Sequence, residues 1–299
     1  MAATVETAPH SISPEQLPLV VIIGPTASGK SSTAMKVAQA FDGEIICADS
    51  RTIYKHMDIG TAKPMPEDQA LVPHWGLDLV EPGDVFTAAD FKTYALQKVE
   101  EIRSRGHLPI IVGGTGLYVD GVVFDYEFAK PQPELRKQLE KLSLDELKKH
   151  CAINNITLPE NDKNRRYVMR AIEHANNTVQ RLRRPIDNVV IVGITTVRDE
   201  LRRRITVRAE QLFENGMVEE AIMLGKKYGW DSEAMTGNIY KLVRKYVAGE
   251  LTLQQLKQDN ITSDWRLAKR QLTWLKRNDF IHWVQLDQAF EYVASMLKR

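Results

Sequence analysis

The chain has 299 residues, of which 43% are hydrophobic and 26% charged, and its formal net charge is +1. That length supports one large core or two domains, and a charge so close to zero excludes a polycation that coats nucleic acid by bulk attraction. The two cysteines, Cys47 and Cys151, lack C-x-x-C spacing, which excludes a cysteine zinc module and points to a reducing compartment.

Residues 1–18 hold neither an apolar h-region nor arginine, so they are expected to form a disordered polar lead-in without a targeting function. Nowhere does an apolar run approach the ~18 residues of a membrane span, and a cytoplasmic protein is expected. The apolar, β-branched run Leu19–Ile23 predicts a buried parallel strand. It leads into Gly24-Pro25-Thr26-Ala27-Ser28-Gly29-Lys30-Ser31, which fits the phosphate-loop pattern G-x-x-x-x-G-K-[ST]. Ala34, Val37, Ala38 and Phe41 then recur at helical spacing. Strand, loop and helix in that order would bring backbone N–H groups and a helix N-terminus to a phosphate. Lys30 would add a point charge, and the Ser31 hydroxyl could reach Mg²⁺.

Glu44–Ala48 predicts a second strand, ending at Asp49-Ser50. Thr87 and Asp90 form the ends of a capping box, followed by Phe91, Ala95, Val99 and Ile102 on one helix face, with Gly106 as the stop. Leu108–Val112 predicts a third strand, running into Gly113-Gly114-Thr115-Gly116. Alternating strands and helices indicate a parallel α/β sheet, in which ligands bind beyond the C-terminal strand ends. From about 126 to 186 the strand signal disappears. Ser143 to Glu146 is a capping box, and a helix is expected from about Lys163 to Gln180. Its apolar face would hold Val168, Ala171, Ile172, Ala175 and Val179, with Arg166, Arg170, Glu173 and Asn177 opposite. Asn188–Val192 predicts a returning strand, and the remainder is expected to be helical, from Asp199 to about Asn215 and from Leu253 to Asn278. The expected domains are therefore a first α/β part at 19–125, a helical insertion at 126–186, and a second core part with C-terminal helices at 187–299.

Three positions could carry chemistry. Asp49, just past a strand end, could bind Mg²⁺, act as a general base, or simply cap a turn. The strand before Gly113-Gly114-Thr115 lacks the terminal carboxylate of an NTP hydrolase; its glycines fit either close approach to a ligand or a tight turn. Arg208 falls within the apolar stripe of Leu201, Ile205 and Leu212, so its cation needs an anionic partner or an escape route. A structural pair and a pyrophosphate clamp both satisfy that need. Basic residues gather at 165–170, 181–184, 202–204, 269–270 and 276–277, the last two beside Trp265 and Trp274. Such groups form solvated faces or track RNA phosphates while aromatics stack bases.

Several longer blocks occur in order: the phosphate loop, Ala48-Asp49-Ser50, Tyr54–Pro64, Gly113–Tyr118 and Leu267–Leu275. Together they resemble the tRNA dimethylallyltransferases, the tRNA isopentenyltransferase family. No carboxy-terminal zinc finger follows, so the resemblance is to bacterial-type members. It implies a P-loop NTPase-like parallel sheet core with an inserted helical domain. It also implies transfer of a dimethylallyl group from dimethylallyl diphosphate to the exocyclic amine of adenosine at position 37. That base lies beside the anticodon in tRNAs reading U-initial codons.

By the same resemblance, Gly24, Pro25, Thr26, Ala27, Ser28, Gly29, Lys30 and Ser31 would cradle the diphosphate with Arg208, and Mg²⁺ would sit near Ser31. Asp49 would take the amine proton, and Thr115 would help seat the target nucleotide. Asp49, Ser50, Arg51, Thr52, Thr115, Arg165, Arg166, Arg170, Lys269 and Arg270 would touch the anticodon stem-loop, and a monomer is expected. Alternatives are an adenylate isopentenyltransferase acting on a free nucleotide and a small-molecule kinase using ATP.

Overall fold

The computed structural model describes residues 17–128, 132–175 and 182–298. Its strands are β1 (Leu19–Ile23), β2 (Gly43–Ala48), β3 (His74–Trp75), β4 (Leu108–Gly113), β5 (Val189–Thr195) and β6 (His282–Gln285). They form one sheet in the order β3-β2-β4-β1-β5-β6, with every pair parallel. Every residue of β1, β2 and β4 is buried, the physical reason these strands read as nearly unbroken apolar runs. Their registers align Ile23 and Ala48 with Gly113. The segments leaving β1, β2 and β4 therefore start side by side at one sheet edge.

By Cα packing the chain divides into two units, one running to Val123 and resuming at Arg184, the other spanning Phe124–Arg183. The first unit holds the sheet with α1 (Lys30–Ala40), α2 (Pro66–Leu71), α3 (Ala88–Ser104) and α4 (Gly116–Val123). In α3 the Thr87–Asp90 capping box is formed, and Phe91, Ala95, Val99 and Ile102 are the buried residues, as their spacing predicts. The second unit contains α5 (Pro133–Leu139), α6 (Leu144–Ile153) and α7 (Arg165–His174) around Leu139, Leu147, Cys151, Val168, Met169 and Ile172. Ser143 and Glu146 cap α6 reciprocally. Helix α7 is shorter at its start than the expected span because Asn164 caps it, accepting from the Arg166 N–H. Residues 176–181, including Asn177, Val179 and Gln180, lie outside the described residues.

After β5 the first unit continues with α8 (Arg198–Glu214), α9 (Met217–Tyr228), α10 (Asn238–Val247), α11 (Leu253–Leu275) and α12 (Leu286–Leu297). Three expectations need correction. Strand β5 starts one residue later than predicted, since Asn188 adopts a left-handed φ of 55°, and it runs on to Thr195. Helix α11 ends at Leu275, not Asn278. The remainder is not all helical: β6 adds an edge strand beside β5. Of its four residues only Val284 is buried, so it carries no apolar run to read. Among the described residues, no helix is long and apolar enough to cross a membrane.

The segment after β2 is organised by two buried charges. Glu220 on α9 accepts hydrogen bonds from the N–H groups of Asp58, Ile59 and Gly60, at 2.8, 2.6 and 2.9 Å, and from the Tyr240 hydroxyl. Lys63 is buried and donates to the Tyr54 carbonyl and to the carboxylates of Asp58 and Asp78. In the Tyr54–Pro64 block, three successive backbone donors are thus satisfied by a carboxylate about 160 residues away. Removing that carboxylate strands three amides at once. Glu220→Ala should destabilise the protein by about 3 kcal/mol or more, read as a lower urea midpoint at unchanged m-value, with Glu220→Gln losing less.

Candidate functional site

Between β1 and α1 the chain turns through two left-handed residues, Ala27 at φ 61° and Gly29 at φ 93°. That curl aims the loop amides inward and delivers them to the α1 N-terminus. Helices from the far half of the chain hold it there. The Thr26 N–H donates to Gln271 Oε1 at 2.8 Å, and Arg208 Nη1 donates to the Thr26 hydroxyl. Arg208 Nη2 also reaches the Thr61 carbonyl at 3.4 Å, while Arg204 Nη1 reaches the Ser28 carbonyl at 3.3 Å.

Lys30 Nζ lies 3.3 Å from the Pro25 carbonyl. Burial and the neighbouring Arg208 charge push its ammonium down to about 8, with Asp49 opposing them.

Asp49 lies just past the end of β2. Its Oδ1 accepts the Arg51 N–H at 2.8 Å, and the Thr52 hydroxyl contacts its main-chain carbonyl. The Ser50 N–H donates to Thr115 Oγ1 at 3.1 Å, and the Thr115 N–H returns a bond to the Ala48 carbonyl. The turn after β2 and the turn after β4 are therefore tied together. Cys47 is buried beneath them; desolvation and the Asp49 charge push its thiol up to about 12, so it stays protonated at neutral pH.

A cavity of about 820 Å³ joins these groups. Thr26, Ala27, Gly29, Lys30 and Ser31 line it together with Asp49, Ser50, Arg51, Thr52, Thr115, Arg208 and Arg270. Gly24, Pro25 and Ser28 belong to the loop but lie behind that lining. Ala34, Met35, Ile45, Cys47 and Val112 supply an apolar wall in the same cavity. Arg208, whose place in an apolar stripe called for a partner or an escape route, turns its guanidinium into the phosphate loop.

The glycines at and after the end of β4 are required by close packing against neighbouring protein atoms. A Cβ on Gly113 would strike the Ala48 carbonyl, one on Gly114 the Gln271 amide, and one on Gly116 the Trp274 ring. Trp274 in turn donates from Nε1 to Asp120 Oδ2 at 2.7 Å. These glycines let β2 and α11 close on the strand end.

Of the basic residues expected to touch RNA, Arg51 and Arg270 line the cavity, and Arg165, Arg166, Arg170 and Lys269 do not. On α7, Arg165 spends its guanidinium on the carbonyls of Leu139, Glu140 and Leu142, while Arg166 and Arg170 are exposed. Lys269 and Arg270 lie on the exposed side of α11, where Arg266, Thr273, Trp274 and Arg277 complete a shallow groove of about 470 Å³.

Asn260 and Asp264 carry no motif, and Arg204 and Gln271 stand in the sequence only as members of the 202–204 basic group and the Leu267–Leu275 block. Asn260, Asp264 and Gln271 fall at helical spacing with the buried Leu256, Ala268 and Leu275. Polar groups on a buried stripe are the same signal that marks Arg208. Burial pushes the Asp264 carboxyl up, and the Arg208 cation opposes that shift.

An IPP transferase family model matches residues 52–278. The chain belongs to the IPP transferase family. The tRNA dimethylallyltransferase of Acetivibrio thermocellus is 37% identical over 289 residues, spanning 90% of this chain and 92% of that protein. That of Anoxybacillus flavithermus is 37% identical over 287 residues, spanning 91% and 92%. The crystal structure of the full-length tRNA isopentenylpyrophosphate transferase of Bacillus halodurans superposes with a TM-score of 0.71 at 33% identity, covering 94% of this chain and 97% of that one.

In this IPP transferase family member, a pH dependence of anion binding in the cavity is expected from Lys30. Above about pH 8 the empty site must take up a proton at Lys30 before the ammonium can pair with a diphosphate. Calorimetric titration with pyrophosphate should show the advantage of wild type over Lys30→Met shrinking as pH rises from 7 to 9.5. A constant ratio across that range would remove Lys30 from the anion site.

Proposed function

We propose that this chain transfers a dimethylallyl group from dimethylallyl diphosphate to the exocyclic amine of the adenine beside the anticodon, at position 37 of tRNAs reading U-initial codons. The observation that carries this reading is the joining of the phosphate loop, Arg208 and Asp49 in one cavity with an apolar wall. The relatives' names supply the acceptor class, tRNA, over a free nucleotide or the acceptor of a kinase. The cytoplasm is the compartment that substrate implies.

The Thr26–Ser31 segment, Lys30 and Arg208 bind the diphosphate, and Ala34, Cys47 and Val112 give the five-carbon chain an apolar surface. The adenine reaches the cavity flipped out of its stack, beside Thr115. As the amine nitrogen bonds to the first carbon of the donor, the carbon–oxygen bond breaks and its electron pair leaves on pyrophosphate. Negative charge then grows where Lys30 and Arg208 point. The lone pair of an adenine amine is delocalised into the ring, so the proton must leave as the new bond forms. Asp49 takes it: the Arg51 N–H orients one carboxylate oxygen and leaves the other to accept the amine hydrogen. With its thiol held at about 12, Cys47 does not compete as a nucleophile for the allylic carbon.

The donor set fits a Mg²⁺ that enters with the diphosphate. Among the described residues, no group of three or more His, Cys, Asp or Glu forms a protein cage. The exposed Ser31 hydroxyl lines the cavity and would hold the ion. It would neutralise charge on the diphosphate. Lys269, Arg270 and the α11 groove would bind loop phosphates, as would the exposed Arg166 and Arg170 of the second unit.

Wild-type protein should transfer label from dimethylallyl diphosphate to a cognate anticodon stem-loop. Asp49→Ala should lose about 10³-fold in kcat or more while still binding the stem-loop, and Arg208→Met should lose about 10²-fold. Absence of transfer by folded wild-type protein with several cognate RNAs and Mg²⁺ refutes the assignment. Preferential labelling of AMP would reassign the acceptor.

A further inference from the structure

Arg51 follows the Asp49-Ser50 pair and lines the same cavity, so its charge invites an RNA phosphate. Its hydrogen bonds say otherwise. Nη1 donates to the Glu233 carbonyl at 3.0 Å and the Ala234 carbonyl at 3.3 Å, and Nη2 donates to Thr236 Oγ1 at 3.2 Å. The acceptors belong to a single 3₁₀ turn, Ala234–Thr236, and the residue before it. That turn leads straight into α10, and Thr236, Gly237, Asn238, Ile239 and Tyr240 line the cavity. At its other end Arg51 donates its backbone N–H to Asp49 Oδ1. One residue therefore holds the carboxylate that follows β2 and the cavity wall that precedes α10.

We propose that Arg51 is a positioning residue, which fixes Asp49 against the Ala234–Tyr240 wall and makes no RNA phosphate contact. This rests on the transferase reading above. The guanidinium suits the task because its rigid planar fork serves several carbonyl oxygens from one place. An ammonium keeps the charge but not the fork. Thr236 closes the arrangement from the far side, as its hydroxyl accepts from Arg51 and donates to the Glu233 carbonyl. Loss of the tie lets the wall and the Asp49 turn move independently, and an error of about 1 Å in a reacting group costs about 10²-fold in rate.

The test compares Arg51→Met, Arg51→Lys, Thr236→Val and the Arg51→Met/Thr236→Val double variant. Each is assayed for steady-state prenyl transfer and for equilibrium binding of the anticodon stem-loop across a salt series. Arg51→Met should lower kcat about 10- to 100-fold, with the stem-loop Kd within about two-fold and its salt slope unchanged. Arg51→Lys should not rescue kcat. Thr236→Val should lower it several-fold and add nothing to Arg51→Met, because both remove the same tie.

The proposal is overturned if Arg51→Met weakens stem-loop binding and reduces the salt slope by about 0.7–1, with Arg51→Lys restoring both. Wild-type kcat in both Arg51 variants overturns it as well. Amide hydrogen exchange over 234–238 reads the tie without turnover: exchange there should quicken in Arg51→Met, and unchanged exchange counts against the proposal. Failure of the wild-type protein to transfer the prenyl group refutes the transferase assignment instead, and leaves that exchange measurement intact.

Discussion

Thr26 is where the two halves of the sheet unit meet. Its amide is held by Gln271 and its hydroxyl by Arg208, so α8 and α11 both end their polar business at the same residue of the phosphate loop. A loop that gathers N–H groups for an anion is full of donors with few internal acceptors, and it keeps its curl only if something braces it. The bracing residues lie 182 and 245 positions away in sequence. Order in the first loop of the chain therefore depends on helices that are among the last to be made. The same contacts place a guanidinium at the loop, so the brace and the cavity lining share Arg208.

Legibility followed burial. The β1, β2 and β4 runs and the α3 capping box could be read because each residue there answers to one demand, an apolar environment or an orphan amide. Strands β3 and β6 could not. They have two and four residues, most of them half-buried or exposed, and they become strands only because a neighbour offers its edge. The site divides in the same way. The loop, Asp49 and Arg208 announce themselves by motif, strand end and misplaced charge. Gln271 and Arg204 act through a helix whose docking is a tertiary fact. Gly114, which fitted either close approach to a ligand or a tight turn, is packed against Gln271, as Gly116 is against Trp274.

Runs of arginine in this sequence have separate fates, decided by what lies within reach. Arg165 closes the end of α5 by serving three carbonyls, Arg136 pairs with Glu140 and Glu173, and Arg203 and Arg204 share Glu200. Burial opposed, those two guanidinium groups hold the Glu200 carboxyl down to about 2. Counting cations along the chain thus overstates the charge offered to a polyanion. The α11 groove differs: Arg266, Lys269 and Arg270 share one side of the helix, and Arg277, just past its end, lies against the Trp274 ring.

The left-handed Gly29 has a neighbour that gives the end of the chain an unexpected part in the site. A side chain at Gly29 would run into Leu286, the first residue of α12, so that helix is the floor on which the phosphate loop rests. The family match stops at residue 278, short of both β6 and α12. A chain ended there would keep every residue that faces the cavity from β2 onward. It would also leave β5 with a bare edge and the phosphate loop without its underside. The boundary of this folded unit is therefore set by what supports the phosphate loop from below, and lies beyond the last residue that faces the cavity.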